Sequence, residues 1–170
     1  MKLSDGIEQA IHSVAMLSGL SEGNVLSAAS LADFHGVSTS YLLKHLRALS
    51  KNGLLETIPG PNGGYKLAKP PYKISLADIV RAIEGPEPAF RCKEIRRRGP
   101  KPASSAMLKK PCCVKIAMLR AEKAYNNELK SISIADIIKD VNDIDDGSIE
   151  ERGCQFLKEN ERITRTNEGT

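Results

Sequence analysis

Ile58-Pro59-Gly60-Pro61-Asn62-Gly63-Gly64-Tyr65-Lys66-Leu67 is the stretch that decides the fold. Two strand-prone runs, Leu54 to Ile58 and Tyr65 to Lys69, flank a tip of proline, asparagine and glycine, the composition of a two-stranded hairpin. Immediately before it the sequence reads as two short helices. Ala28 to His35 forms the first, and Gly36-Val37 makes the turn. Ser38 caps a second helix from Thr39 to Asn52, which Gly53 ends. Leu31, Ala32, Gly36, Val37, Tyr41, Leu42, His45 and Leu46 supply what a helix-turn-helix requires: a small residue at the crossing, glycine at the turn, and apolar residues that lock the second helix. A hairpin placed directly behind that unit is the wing of a winged helix, whose usual ligand is double-stranded DNA. Without the hairpin, an ordinary helical pair would explain the same residues.

Working outward, Ser4 or Asp5 caps a helix running to about Gly19, with Ile7, Ala10, Ile11, Val14 and Ala15 on its buried stripe. Asn24 to Ser27 is extended. Pro70-Pro71 breaks the chain after the wing, and Ser75 caps a helix from Leu76 to Glu84 that Gly85-Pro86 ends. Phe90 to Pro111 is irregular, basic, and carries Cys92. From Pro111 a long helix runs to about Lys130, with Val114, Ala117, Met118, Ala121, Tyr125 and Leu129 at helical spacing. Its length is about 30 Å at 1.5 Å per residue, and its alanines allow close approach of another helix. It reads as a dimerisation helix, the alternative being a helix packed on its own domain. Ile74-Ser75-Leu76-Ala77-Asp78-Ile79 is echoed by Ile132-Ser133-Ile134-Ala135-Asp136-Ile137, a repeated Ser-capping pattern. The residues from Asp143 onward lack sustained periodicity, which predicts a disordered tail and leaves Cys154 outside any site. The expected architecture is therefore mainly α with a small β-wing. It has a winged helix-turn-helix DNA-binding domain (1–72), a cysteine loop with the dimerisation helix (73–141), and a disordered tail (142–170).

Composition narrows the function. The 170 residues are 41% hydrophobic but only 4% aromatic, with no tryptophan, which argues against base stacking of the single-strand-binding kind. No apolar run approaches the roughly 20 residues of a membrane span. Met1-Lys2-Leu3-Ser4-Asp5-Gly6 does not read as a signal peptide, so a cytoplasmic location is expected. The net charge of +4 is concentrated between Arg91 and Lys110, and the end of the chain is acidic. Four cysteines in a cytoplasmic protein point to metal or redox chemistry rather than structural disulfides. No nucleophile constellation or phosphate loop is visible, and the hairpin tip does not lead into a helix as a phosphate loop would. An enzyme is not expected.

Gly36-Val37-Ser38 with Ser40-Tyr41-Leu42, Leu49, Asn52-Gly53-Leu54, the wing Gly60-Pro61-Asn62-Gly63-Gly64-Tyr65, Cys92 and Ile134-Ala135-Asp136-Ile137 together resemble the Rrf-two family of bacterial winged-helix regulators. That family includes the iron–sulfur cluster regulator and the nitric-oxide-sensitive repressor. The resemblance covers about residues 1–141. It implies a homodimer on a palindromic operator, with a recognition helix in each of two successive major grooves. Ser38, Thr39, Ser40, Tyr41 and Lys44 occupy the start of that helix, and Asn62, Gly63 and Gly64 bring the wing to the DNA backbone. Where some members carry a wing arginine, this chain has Pro59.

Many members hold an iron–sulfur cluster through three closely spaced cysteines and a fourth ligand. Here the spacing differs: Cys92, nineteen residues, then Cys112-Cys113. A 2Fe–2S cluster needs four protein ligands, and histidine can replace cysteine on one iron. Adjacent Cys112 and Cys113 diverge by about 100° at a helix start, so one of them joins Cys92 and the other is a spare redox thiol. His35 and His45 fall in the helix-turn-helix. His12 remains, with Glu8 one turn earlier on the same face. The expected ligand set is Cys92, Cys112, His12 and Glu8, with the last two supplied by either subunit. The bland reading of Glu8 and His12 is an exposed helical pair. Two other functions stay open: a cluster-free thiol switch using Cys92, Cys112 and Cys113 among neighbouring cations, and a winged-helix module that binds proteins instead of DNA.

Overall fold

A computed structural model describes residues 3–163. The first helix, α1, spans Asp5–Leu17, and a short strand β1 follows at Asn24–Val25. Helix α2 (Ala28–His35) starts at Ser27, whose hydroxyl accepts the Ser30 N–H at 3.0 Å. It stops at Gly36, which adopts φ 64°, a left-handed conformation that glycine reaches without a Cβ penalty. Helix α3 (Thr39–Lys51) buries Leu42, His45, Leu46 and Leu49. Strands β2 (Leu55–Ile58) and β3 (Gly64–Leu67) pair antiparallel in the register Leu55↔Leu67 to Ile58↔Gly64. The architecture is the expected one, mainly helical with a two-stranded wing.

The wing is tied to the helices by an isolated bridge: Leu26 N–H donates to the Tyr65 carbonyl at 3.0 Å, and Tyr65 N–H donates to the Leu26 carbonyl at 2.8 Å. Under both lies a core in which Leu26, Leu31, Leu42, Leu46, Leu49, Ile74, Ile79 and Ile134 are fully buried. Helix α4 (Leu76–Glu84) closes this core against α1 and α3.

Beyond α4 the chain runs through an irregular loop and a one-turn helix α5 (Ser105–Leu108) into α6 (Cys113–Ser131) and α7 (Ile134–Ile144). Pro111 precedes α6, with Cys112 as its N-cap. The sequence echo has a structural basis. Ser75 and Ser133 each close a capping box, with Asp78 and Asp136 respectively. The two caps also bridge each other through Leu76 N–H to the Ile132 carbonyl and Ile134 N–H to the Ile74 carbonyl, both 2.9 Å. Each repeat thus satisfies backbone groups of its copy, and Ile74, Ile79 and Ile134 enter one core.

Helix α6 buries none of its residues. Leu119, Glu122, Tyr125 and Leu129 are half-buried, while Val114 (61%), Ile116 (53%) and Met118 (43%) stay exposed along with Ala117 and Ala121. The stripe read from the sequence therefore divides. Its N-terminal part is uncovered in one chain, whereas Tyr125 and Leu129 meet the helix's own domain.

The expected disordered tail needs correction. Ser148–Asn160 forms α8 and Arg162–Ile163 forms β4, which pairs antiparallel with β1. Asp145 caps α8 by accepting the N–H groups of Ile149 and Glu150 at 3.1 and 2.9 Å. Phe156 packs on Phe34 with ring centroids 4.6 Å apart, and Leu157 enters the core. The Arg152 guanidinium sits 4.4 Å from the Phe34 ring. Residues 164–170, part of the same expectation, lie outside the described residues.

One buried histidine, His45, and one half-buried histidine, His35, are expected to make this fold pH-sensitive. The ring of His45 lies against Gly6, where a Cβ would strike it, and Glu84 faces it from α4 and Lys44 from its own helix. Burial, and then Lys44, hold its pKa below the ordinary value, while Glu84 opposes them. His35 is lowered likewise by burial, then by His12 and Arg152. Both therefore take up protons at lower pH in the fold than in the unfolded chain, where histidine binds protons at about pH 6.5. Stability should be flat above that pH and fall as pH drops through the lowered folded values. Urea midpoints measured between pH 8 and 5 should show this slope, and His45→Gln should reduce it.

Candidate DNA-binding face and cysteine site

Ser38, Thr39, Ser40, Tyr41 and Lys44 are all exposed on the first turns of α3. The Ser38 and Ser40 hydroxyls bond each other at 3.0 Å. Tyr41 packs edge-on against His45 with centroids 4.6 Å apart, so the buried imidazole holds an exposed phenol in place. Arg47 extends the same helix face and is also exposed. On the wing, Lys66 pairs with Glu56 at 3.4 Å, a surface contact worth little. Asn62 is exposed and Gly63 half-buried, but Gly64 is buried. A Cβ on Gly64 would collide with the Leu26 carbonyl, and one on Gly63 with that of Ile58. Gly64 therefore shapes the wing from beneath and presents no surface to a ligand.

The cysteine site is built by α6 and the loop before it. Cys112 is half-buried at the α6 N-cap, where the N–H groups of Lys115 and Val114 face its sulfur without closing a full capping bond. Lys115 N–H contributes most to holding the Cys112 pKa below the ordinary thiol value; Val114 N–H, the Cys92 thiol and the Arg96 charge act in the same direction against desolvation. Free amide groups at a helix N-terminus favour an anion for this reason. Cys92, also half-buried, donates toward the Cys112 sulfur. Arg96 is fixed by Glu94, with Nη2 to Oε2 at 2.8 Å, and it also donates to the carbonyls of Met107 and Lys110. One guanidinium thereby straps the loop around the two sulfurs. Cys113 is exposed. Iodoacetamide should alkylate Cys112 with a pH midpoint below that of an ordinary thiol, and Arg96→Ala should raise this midpoint; peptide mass spectrometry across a pH series would read both.

Glu8 and His12 are exposed on α1, and the His12 ring stands 5.8 Å from that of His35. Among the described residues, no three His, Cys, Asp or Glu side chains gather into a group that could hold a metal ion. One chain thus brings Cys92 and Cys112 together and leaves Glu8 and His12 elsewhere. A cluster with four protein ligands does not fit within one protomer. Two thiolates from one chain with the carboxylate and imidazole of a second would meet its ligand count. Cys154 is exposed on α8.

A helix-turn-helix with an exposed leading face and an anchored wing defines a winged-helix DNA-binding regulator. The profile of the iron-dependent transcriptional regulator family Rrf2 (Rrf-two) matches residues 3–140, and the chain belongs to that family. It is 34% identical over 137 residues to YffB of Lactococcus lactis, named as an HTH-type transcriptional regulator, covering 81% of this chain and 86% of that one. YwgB of Bacillus subtilis, named in the same way, is 30% identical over 146 residues, covering 86% and 90%. Among solved structures, IscR of T. potens superposes with a TM-score of 0.60 at 26% identity, covering 83% of this chain and 88% of that one. The family match ends before α8 and β4. No described helix is long and apolar enough to cross a membrane.

Proposed function

We propose that the chain is a homodimeric transcriptional regulator that reads a palindromic operator and senses redox state through a 2Fe–2S cluster. Cys92 and Cys112 of one subunit and Glu8 and His12 of the other would hold it. The observation that carries this reading is the pair of half-sites: two sulfurs poised at the start of α6, and an exposed carboxylate and imidazole one turn apart on α1. The uncovered Val114, Met118 and alanine face beside the sulfurs suits a second copy, which would bring the halves together. Such a group supplies a one-electron couple, and imidazole ligation raises its potential and adds pH dependence. The chain's own part is to stabilise a thiolate at Cys112, to strap the loop through Arg96, and to set the spacing of two α3 helices. Ser38, Thr39, Ser40, Tyr41 and Lys44 would meet bases and phosphates in the major groove, and Asn62 and Gly63 the adjacent backbone.

A thiol switch is the second reading, favoured by the direct approach of Cys92 to Cys112. Exchange with a small-molecule disulfide would join the two sulfurs, reduce the reagent to two thiols, and alter DNA affinity without metal. Purification without oxygen, with visible absorption, iron and acid-labile sulfide measured together, separates the two. Two irons and two sulfides per chain support the cluster. Colourless protein that resists reconstitution and binds DNA in one thiol state only supports the switch. Absence of any salt-dependent binding to duplex DNA would favour a protein-interaction module.

A further inference from the structure

The described part of the segment after the family-matched residues reaches the tip of the wing through Arg162. Strand β4 lies on β1 in the register Val25↔Arg162, and Leu26, directly after β1, bridges Tyr65 of β3. The backbone pairing therefore runs β4, β1, β3, β2 and carries Arg162 toward the hairpin. Arg162 Nη1 donates to the Pro61 carbonyl at 3.0 Å, within the Pro61-Asn62 tip. The approach is held on both sides. The Glu161 carboxylate accepts the Ser21 N–H at 3.1 Å and the Ser21 hydroxyl at 2.9 Å, and Phe156 and Leu157 anchor α8 on the core. A guanidinium offers five N–H donors, and Pro61 takes one of them. Among the described residues no carboxylate forms an ion pair with Arg162. The result is a pre-positioned cation with spare donors, beside exposed Pro61 and Asn62.

We propose that Arg162 is a phosphate-binding residue of the wing, delivered to the DNA by the C-terminal segment. The proposal rests on the DNA-binding reading above and adds a contact from outside the winged helix itself. A planar fork suits phosphate oxygens, and a side chain already held by Pro61 loses little freedom on binding. Such a contact positions the protein without reading sequence.

The test uses the full chain and Arg162→Gln, which keeps a polar side chain but carries no charge. Binding to two unrelated fluorescent mixed-sequence duplexes is measured by anisotropy from about 50 to 200 mM salt. For each lost phosphate contact, the slope of log K against log salt should fall by about 0.9. Affinity at the lowest salt should drop several-fold and equally for both duplexes, with thermal stability unchanged, and Arg162→Lys should restore much of the slope. Unchanged slope in Arg162→Gln overturns the proposal, and a lowered melting temperature with parallel salt lines would make Arg162 a strap only. If the wild type binds neither duplex, the DNA-binding reading fails and takes this proposal with it. That outcome is distinct from a wild type that binds while the variant matches it.

Discussion

Cys112→Ala is expected to abolish cluster absorption and the associated iron and sulfide, whereas Cys113→Ala should leave all three near wild-type levels. The two residues are adjacent, so the contrast tests geometry and not composition. Cys112 is the N-cap of α6, where the amides of Lys115 and Val114 stabilise the thiolate and the Cys92 sulfur is at hand. Cys113 begins the helix proper, about 100° further round, and is exposed. Substituting Cys92 should match the loss at Cys112. His12→Ala should alter the spectrum while leaving the thermal midpoint in place, because an exposed side chain on α1 adds little to the core. Anaerobic reconstitution followed by iron and sulfide assay reads every variant. Loss of the cluster in Cys113→Ala with retention in Cys112→Ala would reverse the assignment. Full retention in His12→Ala would return that residue to a surface role.

The winged helix was legible because its signals are local. Gly36 between two apolar periodic runs and the proline–glycine tip each act within a few residues, and their physics does not depend on distant partners. The Ser75 and Ser133 caps were visible for the same reason, but their pairing was not, since a cap pattern says nothing about which backbone groups lie across from it. Helix α8 escaped because it meets the rest of the protein chiefly through Phe156, Leu157 and Arg152, too few positions to impose a period. Its start rests on Asp145, four residues before the amide of Ile149 that it caps. The approach of Cys92 to Cys112 across nineteen residues is a tertiary result, imposed by Arg96 reaching Glu94, Met107 and Lys110. The role of Gly64 was misread for a related reason. Its neighbours in sequence make a surface turn, while its neighbour in space is the Leu26 backbone.

That last point gives the largest expected effect on the DNA-binding domain. In Gly64→Ala the new methyl would meet the carbonyl carbon of Leu26 at 2.7 Å and overlap its oxygen. Both atoms belong to backbone, which no rotamer change can move. Relief requires separating β3 from Leu26, and with it the two hydrogen bonds of the Leu26–Tyr65 bridge. Each contributes about 0.5–1.5 kcal/mol net, and overpacking adds about 1–3 kcal/mol. The expected loss is therefore roughly 2–6 kcal/mol, a large part of the about 5–15 kcal/mol that holds a typical domain. Since the bridge also anchors the wing, DNA affinity should fall even in the fraction that stays folded. Gly153→Ala is the matching control: nothing lies within 4 Å of its added Cβ, it sits inside α8, and alanine favours a helix interior over glycine by about 1 kcal/mol. That variant should gain stability and bind DNA normally. Urea denaturation with DNA titration on both proteins checks the pair. Equal stability of Gly64→Ala and wild type would mean that the wing does not depend on close contact with Leu26.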